Sequence, residues 1–152
     1  MAFRFRLETL LRYRQDLEDA AERELGRQAH ILTGLQEELA AIGRRLATLR
    51  QELEIQQAEG MAVVRLRLYL HGISHFERLR GEQETRIQVQ AHAVDKARAD
   101  LVRRRQERQI VERLRERQAE RYLLEERRHQ DRQADAMAVL RFRHAGPGEV
   151  SP

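Results

Sequence analysis

The sequence predicts an all-α protein: a long two-helix antiparallel coiled coil, or α-hairpin, with an overhanging C-terminal helix end. Charged residues make up 36% of the 152 residues and aromatic residues only 5%. The abundant Ala, Leu, Glu, Arg and Gln are strong helix formers, a composition typical of coiled coils. Both prolines, Pro147 and Pro152, lie in the last six residues, so no proline interrupts a helix before them. A long heptad repeat is the third observation.

The heptad repeat covers residues 7–56 and predicts helix one at about residues 5–58. Its members recur at alternating spacings of four and three, which places them on one helix face as a coiled-coil seam. The seam positions are Leu7, Leu11, Arg14, Glu18, Ala21, Leu25, Gln28, Leu32, Leu35, Leu39, Ile42, Leu46, Leu49, Leu53 and Gln56. Every member from Leu32 to Leu53 is Leu or Ile, so the seam is expected to be strongest there.

A turn is predicted at about residues 59–62, with Gly60 at its centre because glycine adopts positive φ without steric cost. Gly72 is the alternative position for a kink. Helix two is predicted at about residues 63–142. Its seam members are Ile73, Phe76, Arg80, Gln83, Ile87, Gln90, Val94, Ala97 and Leu101. Beyond Leu101 the register is expected to slip by three or four residues before Val111, Leu114, Gln118 and Tyr122 continue the seam.

Helix two is predicted to be longer than helix one, which leaves about 25 residues at its C-terminal end without an intramolecular partner. Residues 1–145 are predicted to form a single coiled-coil domain, and residues 146–152 a disordered tail rich in Gly and Pro. An unpaired helix end is either frayed or available to another protein.

A homodimer of two parallel chains is the structural alternative to the hairpin. In that arrangement Arg14, Glu18, Gln83 and Gln90 would each face a copy of itself across the seam. Charged and polar seam residues paired with themselves are costly, which favours the hairpin.

The sequence lacks the residues that several function classes need. It has no cysteine, which excludes disulfides and thiolate metal sites. The longest uncharged apolar-rich stretch, residues 68–76, is too short to span a bilayer. Charges interrupt every apolar run at the N-terminus, unlike a signal peptide. We therefore expect a soluble, cytoplasmic protein.

No motif predicts catalysis or a cofactor. The sequence has no glycine-rich loop followed by Lys-Ser or Lys-Thr, and its one lysine, Lys96, lies within a helical pattern. His71 and His75 share a helix face but do not form a His-Glu-x-x-His zinc motif, so they are interpreted as polar residues beside the seam. A coiled-coil seam is too narrow to enclose a small molecule, so neither an enzyme nor a small-molecule substrate is predicted.

Positive charge accumulates towards the C-terminus. The net charge is −2 over residues 1–60 and +4 over residues 101–152. A basic block opens at residues 103–105, and such a block can bind nucleic-acid phosphates. Glutamates interleave with these arginines, however, and helix faces of mixed charge are usually solvated and paired within themselves. Nucleic-acid binding is therefore not predicted, and a basic coiled-coil nucleic-acid binder remains an alternative.

Two aromatic residues follow the predicted turn. Phe76 is expected in the seam. Tyr69 lies either in the seam or in an exposed apolar patch near the hairpin tip, where a partner protein would dock an aromatic anchor.

Three stretches, spread over about residues 3–143, resemble the family of the flagellar export protein FliJ. The opening is Phe3-Arg4-Phe5-Arg6-Leu7-Glu8, followed by Leu10, Leu11 and Arg14. The middle is Gly60-Met61-x-Val63 with Tyr69. The late stretch is Leu124-Glu125-Glu126 with Asp131 and Asp135.

This resemblance implies a cytoplasmic, non-enzymatic stalk of the flagellar type III export apparatus, peripheral to the inner membrane. The partners it implies are the hexameric export ATPase, the cytoplasmic region of the export gate membrane protein, and export chaperones. The stalk protein of a virulence type III secretion system is the nearest alternative, although such proteins usually lack the Phe-x-Phe-x-Leu-Glu opening.

The resemblance also implies two sets of partner-binding residues. Gate contact is expected at Ile42, Leu49, Tyr69, Phe76 and Leu79. ATPase contact is expected at Leu7, Leu11, Arg14, Leu124 and Arg127. The chain departs from the family at Ala62, where Ser or Thr often caps the second helix, and at Gly72, where the family has an aromatic residue.

Overall fold

The computed structural model describes residues 2–144 and 146, and 93% of these residues are helical, with no strand among them. Helix α1 spans Glu8–Glu59 and helix α2 spans Val63–His144. The two helices pack against each other, which confirms the predicted all-α hairpin. The tail predicted at residues 146–152 lies outside the described residues except for Gly146.

Helix α1 begins after a short turn. The Glu8 amide donates to the Phe5 carbonyl at 3.4 Å, and the Leu11 amide donates to the Leu7 carbonyl at 2.9 Å. Glu8 also places a negative charge in the first helical turn, where it interacts favourably with the helix dipole. Phe3 and Phe5 therefore lie in an irregular segment that precedes the helix.

Gly60 ends helix α1 in the left-handed region of backbone space, with φ of 91°. Its amide donates to the Gln57 carbonyl at 3.3 Å, the arrangement in which a glycine closes a helix C-terminus. Helix α2 starts three residues later, and the Ala62 carbonyl accepts from the Leu66 amide at 3.1 Å. Ala62 has no side-chain oxygen, so this helix start lacks the capping bond that Ser or Thr would provide.

Replacing Gly60 with alanine should destabilise the chain, whereas replacing Gly26 with alanine should stabilise it. In Gly60→Ala the new Cβ meets nothing within 4 Å, so the cost comes from the positive φ and should be about 1 kcal/mol. Gly26→Ala, also in open space but inside helix α1, should stabilise the chain by about 0.5–1 kcal/mol. Urea unfolding followed by circular dichroism would measure both changes. Equal effects of the two variants would contradict the turn.

The chain divides into two compact units: a hairpin unit, residues 16–105, and a terminal unit, residues 1–15 with 106–152. In the hairpin unit every predicted seam position of α1 is buried or half-buried. The buried apolar side chains of this unit are Ala21, Leu46, Leu49, Val94 and Leu101. The heptad pattern therefore identifies the interior of the hairpin unit, where apolar area is removed from water.

Polar seam residues of the hairpin unit hydrogen-bond across the two helices. The Gln90 amide donates to the Gln28 carbonyl at 3.0 Å and to the Gln28 side-chain oxygen at 2.7 Å. The amide of Gln83, which is only 4% exposed, donates to the Leu35 carbonyl at 3.0 Å and to Glu38 at 2.9 Å. Partner numbers rise in α1 as they fall in α2, so the helices are antiparallel. These bonds satisfy the polar seam within one chain, which favours the hairpin over the parallel homodimer.

The register slip predicted beyond Leu101 is wrong. The spacing of three and four continues along α2 without a shift as far as Val111, and Gln118 and Tyr122 keep the same register. Between them Leu114, predicted as a seam residue, is 38% exposed, and Arg115 is exposed too. The buried or half-buried members are Arg104, Arg108, Val111, Gln118 and Tyr122. Two arginines hold seam positions because their aliphatic stems can be buried while the guanidinium groups reach polar partners. A pattern of apolar residues alone therefore does not reveal the register in this part of α2.

Candidate protein-binding surfaces

The residues predicted to contact the export gate lie in the hairpin unit, largely inside its seam. Leu49 is 9% exposed, and Ile42, Tyr69, Phe76 and Leu79 are half-buried. Ile42 and Leu79 line one shallow groove of about 370 Å³. A partner would touch only the edges of these side chains unless the two helices separated. Gate contact through them remains a prediction.

An exposed apolar surface, which we call the tip stripe, lies beside them in the first two turns of α2. It consists of Val63, Val64, Leu68 and Leu70, which are between 51% and 73% exposed. These residues fall outside the heptad positions, so the heptad pattern does not predict them. Four exposed aliphatic side chains so close in sequence form a patch that a protein partner can cover.

His71 and His75 lie one helical turn apart near the tip stripe. The His75 ring packs edge-on against Phe76, with ring centroids 5.4 Å apart. The His75 Nδ1 atom is 3.2 Å from a guanidinium nitrogen of Arg78. Within residues 2–144 and 146, no group of three or more His, Asp or Glu residues could hold a metal ion.

The terminal unit has its own buried cluster, formed by Phe5, Leu11 and Val111. Phe3 packs against this cluster, and its ring also meets the ring of Tyr122, with centroids 5.7 Å apart at a tilt of 46°. Tilted aromatic pairs at this distance add favourable energy beyond the area they bury. The N-terminal segment is therefore held against α2 by two aromatic side chains.

The residues predicted to contact the ATPase divide into two groups. Leu11 is 1% exposed, and Arg14 is half-buried and bonds Glu107 at 2.8 Å. Leu7 and Leu124 are exposed by 38% and 49%, and Arg127 is exposed too. The structure thus leaves three of the five side chains accessible and holds Leu11 and Arg14 inside the terminal unit. Contact of any of the five with an ATPase remains a prediction.

The end of α2, residues 125–144, which we call the overhang, is exposed at every position except the half-buried Glu126. Its four large apolar residues are Met137, Val139, Leu140 and Phe142, and Phe142 is 84% exposed. At 100° per residue these side chains point to all sides of the helix. Only the segment 136–142 is apolar on nearly every side, interrupted by Arg141, and a helix segment of that kind is normally buried. The sequence predicts an unpaired helix end here, but these four apolar residues do not share one helix face and were not predicted as its binding residues.

The arginines of the terminal unit are partly neutralised by carboxylates. Arg108 forms an ion pair with Glu112 one turn away. The Arg115 Nε atom lies 3.7 Å from a Glu8 oxygen. Such pairs interrupt the row of unpaired cations that a phosphate backbone would need.

The comparison with protein-family models decides the family. The family model described as flagellar FliJ protein matches residues 3–147. The chain belongs to the flagellar FliJ protein family. It is therefore a coiled-coil member of a family of flagellar type III export components.

A solved structure has the same fold as this FliJ-family chain. It is that of CT670 from Chlamydia trachomatis, described as a YscO homolog, with a TM-score of 0.65 and 19% sequence identity. The match covers 97% of this chain and 100% of the CT670 chain. None of the curated proteins matches the sequence. In the part of the chain that the structure describes, neither helix contains a segment long and apolar enough to cross a membrane.

The structure gives physical roles to the opening that carries the FliJ resemblance. Phe5 is buried and Phe3 half-buried, whereas Arg4 and Arg6 are exposed. Alternate residues therefore perform two tasks: the phenylalanines fix the segment against the terminal unit, and the arginines remain available on its surface. Glu8 then starts helix α1.

Proposed function

We propose that this chain is a non-enzymatic central-stalk component of the flagellar type III protein export apparatus. Membership of the FliJ family supports the export role. In this proposal the overhang binds within the hexameric export ATPase, and the tip stripe binds the cytoplasmic region of the export gate protein. The same chain escorts export chaperones. It works in the cytoplasm, at the inner membrane only through these partners.

The observation that carries the ATPase contact is the distribution of apolar side chains around the overhang. A flat partner covers one face of a helix and would leave Phe142 or Leu140 in water. The pore of a ring encloses a helix from all sides, so it can bury both of these side chains. Because burial of a large apolar side chain contributes about 1.5–3 kcal/mol, enclosure supplies a clear driving force for binding.

Three substitutions in the full-length chain test this contact: Met137→Ser, Leu140→Ser and Phe142→Ser together. All three side chains are exposed, so the fold should persist. We expect the concentration needed for half-maximal stimulation of the export ATPase to rise about tenfold or more, because truncated apolar anchors dominate binding losses. Phosphate release by the purified ATPase measures the effect.

The matched control is Val64→Ser, Leu68→Ser and Leu70→Ser in the tip stripe. This variant should stimulate the ATPase normally and bind the gate's cytoplasmic region less tightly. A chain ending at Leu123 should lose ATPase stimulation as the overhang variant does. Full stimulation by both the overhang variant and the shortened chain would refute the stalk contact.

A virulence type III secretion stalk is the alternative that a specific observation favours, since CT670 is described as a YscO homolog. Genes for flagellar rod, hook and ATPase beside this one would support the flagellar assignment, whereas needle genes would support the alternative. A nucleic-acid binder would require affinity for duplex DNA at physiological salt much better than millimolar.

A further inference from the structure

A positively charged groove lies beside the start of α1 in the terminal unit. This N-terminal groove has a volume of about 810 Å³. Arg4, Arg6, Arg12 and Arg115 line it, together with a single carboxylate, Glu8. Glu8 is already paired with Arg115 at 3.7 Å. Among the described residues, the other three arginines have no ion-pair partner. The groove therefore carries three uncompensated positive charges.

The groove is held in shape by the packing beneath it. Phe5 belongs to the buried cluster with Leu11 and Val111, and these contacts fix the backbone on either side of Arg4 and Arg6. A fixed backbone reduces the conformational entropy that the arginines lose when they bind a ligand.

We propose that the N-terminal groove binds an acidic peptide segment of a protein partner, with Arg4, Arg6 and Arg12 pairing with its Asp and Glu carboxylates. A planar guanidinium donates two parallel hydrogen bonds to one carboxylate, and such charge-assisted pairs are stronger than neutral hydrogen bonds. The half-buried Phe3, which also lines the groove, lets it accept aliphatic parts of the same peptide. The proposal does not rest on the stalk function, because none of its residues belongs to the overhang or to the tip stripe.

A peptide fits this groove better than a nucleic acid does. Binding to a phosphate backbone grows with the number of phosphates that basic residues neutralise in a row. Beyond the groove, the neighbouring arginines of α2 are interrupted by carboxylates, as in the pair of Arg108 with Glu112. The uncompensated charge is therefore confined to a short site, which suits a short acidic segment.

Fluorescence anisotropy of a labelled peptide of about eight Asp and Glu residues, titrated with the full-length chain at physiological salt, tests the proposal. We expect saturable binding that the double variant Arg4→Glu with Arg6→Glu weakens about tenfold or more. The matched control is Arg44→Glu with Arg45→Glu. It makes the same charge change at exposed residues in the middle of α1 and should alter the affinity less than about twofold.

Equal losses of peptide affinity in the two double variants would overturn the proposal, because they would show that the overall charge of the chain attracts the peptide. Absence of saturable peptide binding would overturn it too, as would tighter binding of duplex DNA than of the peptide at the same salt. The ATPase is absent from this titration, so the result is independent of the stalk function. A groove variant that loses peptide binding but stimulates the ATPase normally would show that peptide binding and the stalk function are separate properties.

Discussion

Leu46→Ala should destabilise the chain by about 2–5 kcal/mol, the range measured for leucines removed from well-packed interiors. Leu46 is 1% exposed and is one of the two most completely buried large side chains in the described residues. Removing its isobutyl group would leave a cavity between two helices that have few other buried apolar residues. Urea unfolding followed by circular dichroism at 222 nm would measure the loss.

The matched control for this prediction is Ile31→Ala. Ile31 lies on the same helix, but it is outside the heptad positions and 47% exposed. Its removal also replaces a large aliphatic side chain with alanine, yet it should cost less than about 1 kcal/mol because little apolar area returns to water. Comparable losses for the two variants would contradict the assignment of Leu46 to the interior.

Gln83→Glu should destabilise the hairpin by about 2–4 kcal/mol at neutral pH. The Gln83 amide donates to the Leu35 carbonyl and to the Glu38 carboxylate. A carboxylate at the same place donates nothing and faces two acceptors, one of them negatively charged. Its burial and the neighbouring Glu38 should together raise the pKa of the introduced carboxyl.

The raised pKa gives this destabilisation a definite pH dependence. Below the unfolded value, about 4.3, the carboxyl is protonated in both states and can donate a hydrogen bond, so the loss relative to the parent is small. As the pH rises, the unfolded chain releases its proton first, and stability falls until the folded pKa is passed. Gln57→Glu, at an exposed position, should show no such dependence. A loss that shrinks as the pH rises would contradict the buried contact.

The fold could be predicted from the sequence because its deciding features are local: a periodic pattern of seam residues and a single turn glycine. Alternating spacings located the seam of α1, and Gly60 located the turn because positive φ strongly favours glycine. The register beyond Leu101 was mispredicted for an equally physical reason. Arg104 and Arg108 occupy seam positions through their aliphatic stems, and a pattern of residue classes counts them as polar.

The candidate surfaces were only partly predictable. Seam residues such as Leu49 were predicted from the resemblance, but they are large and apolar and are therefore buried between the helices. Exposed residues such as Val64 and Phe142 carry no periodic signal. Their exposure depends on which face of α2 meets α1 and on how much of α2 the partner helix covers. Both depend on how the two helices pair in three dimensions, which the residue types alone do not specify.

The glutamine contacts of the hairpin unit have a mechanical consequence. Sliding one helix past the other by a single heptad, roughly 10.5 Å, would bring Gln83 to the level of Ile42 and Gln28 to the level of Ala97. Gln83 would then lose its hydrogen bond to Glu38, and Gln28 would lose the bond from the Gln90 amide, at a cost of about 1–3 kcal/mol each. A push or pull applied to one helix of this unit is therefore transmitted to the other before it can slip. The two glutamine contacts therefore resist sliding of one helix along the other, so that a force along the axis of the hairpin unit is borne by both helices together.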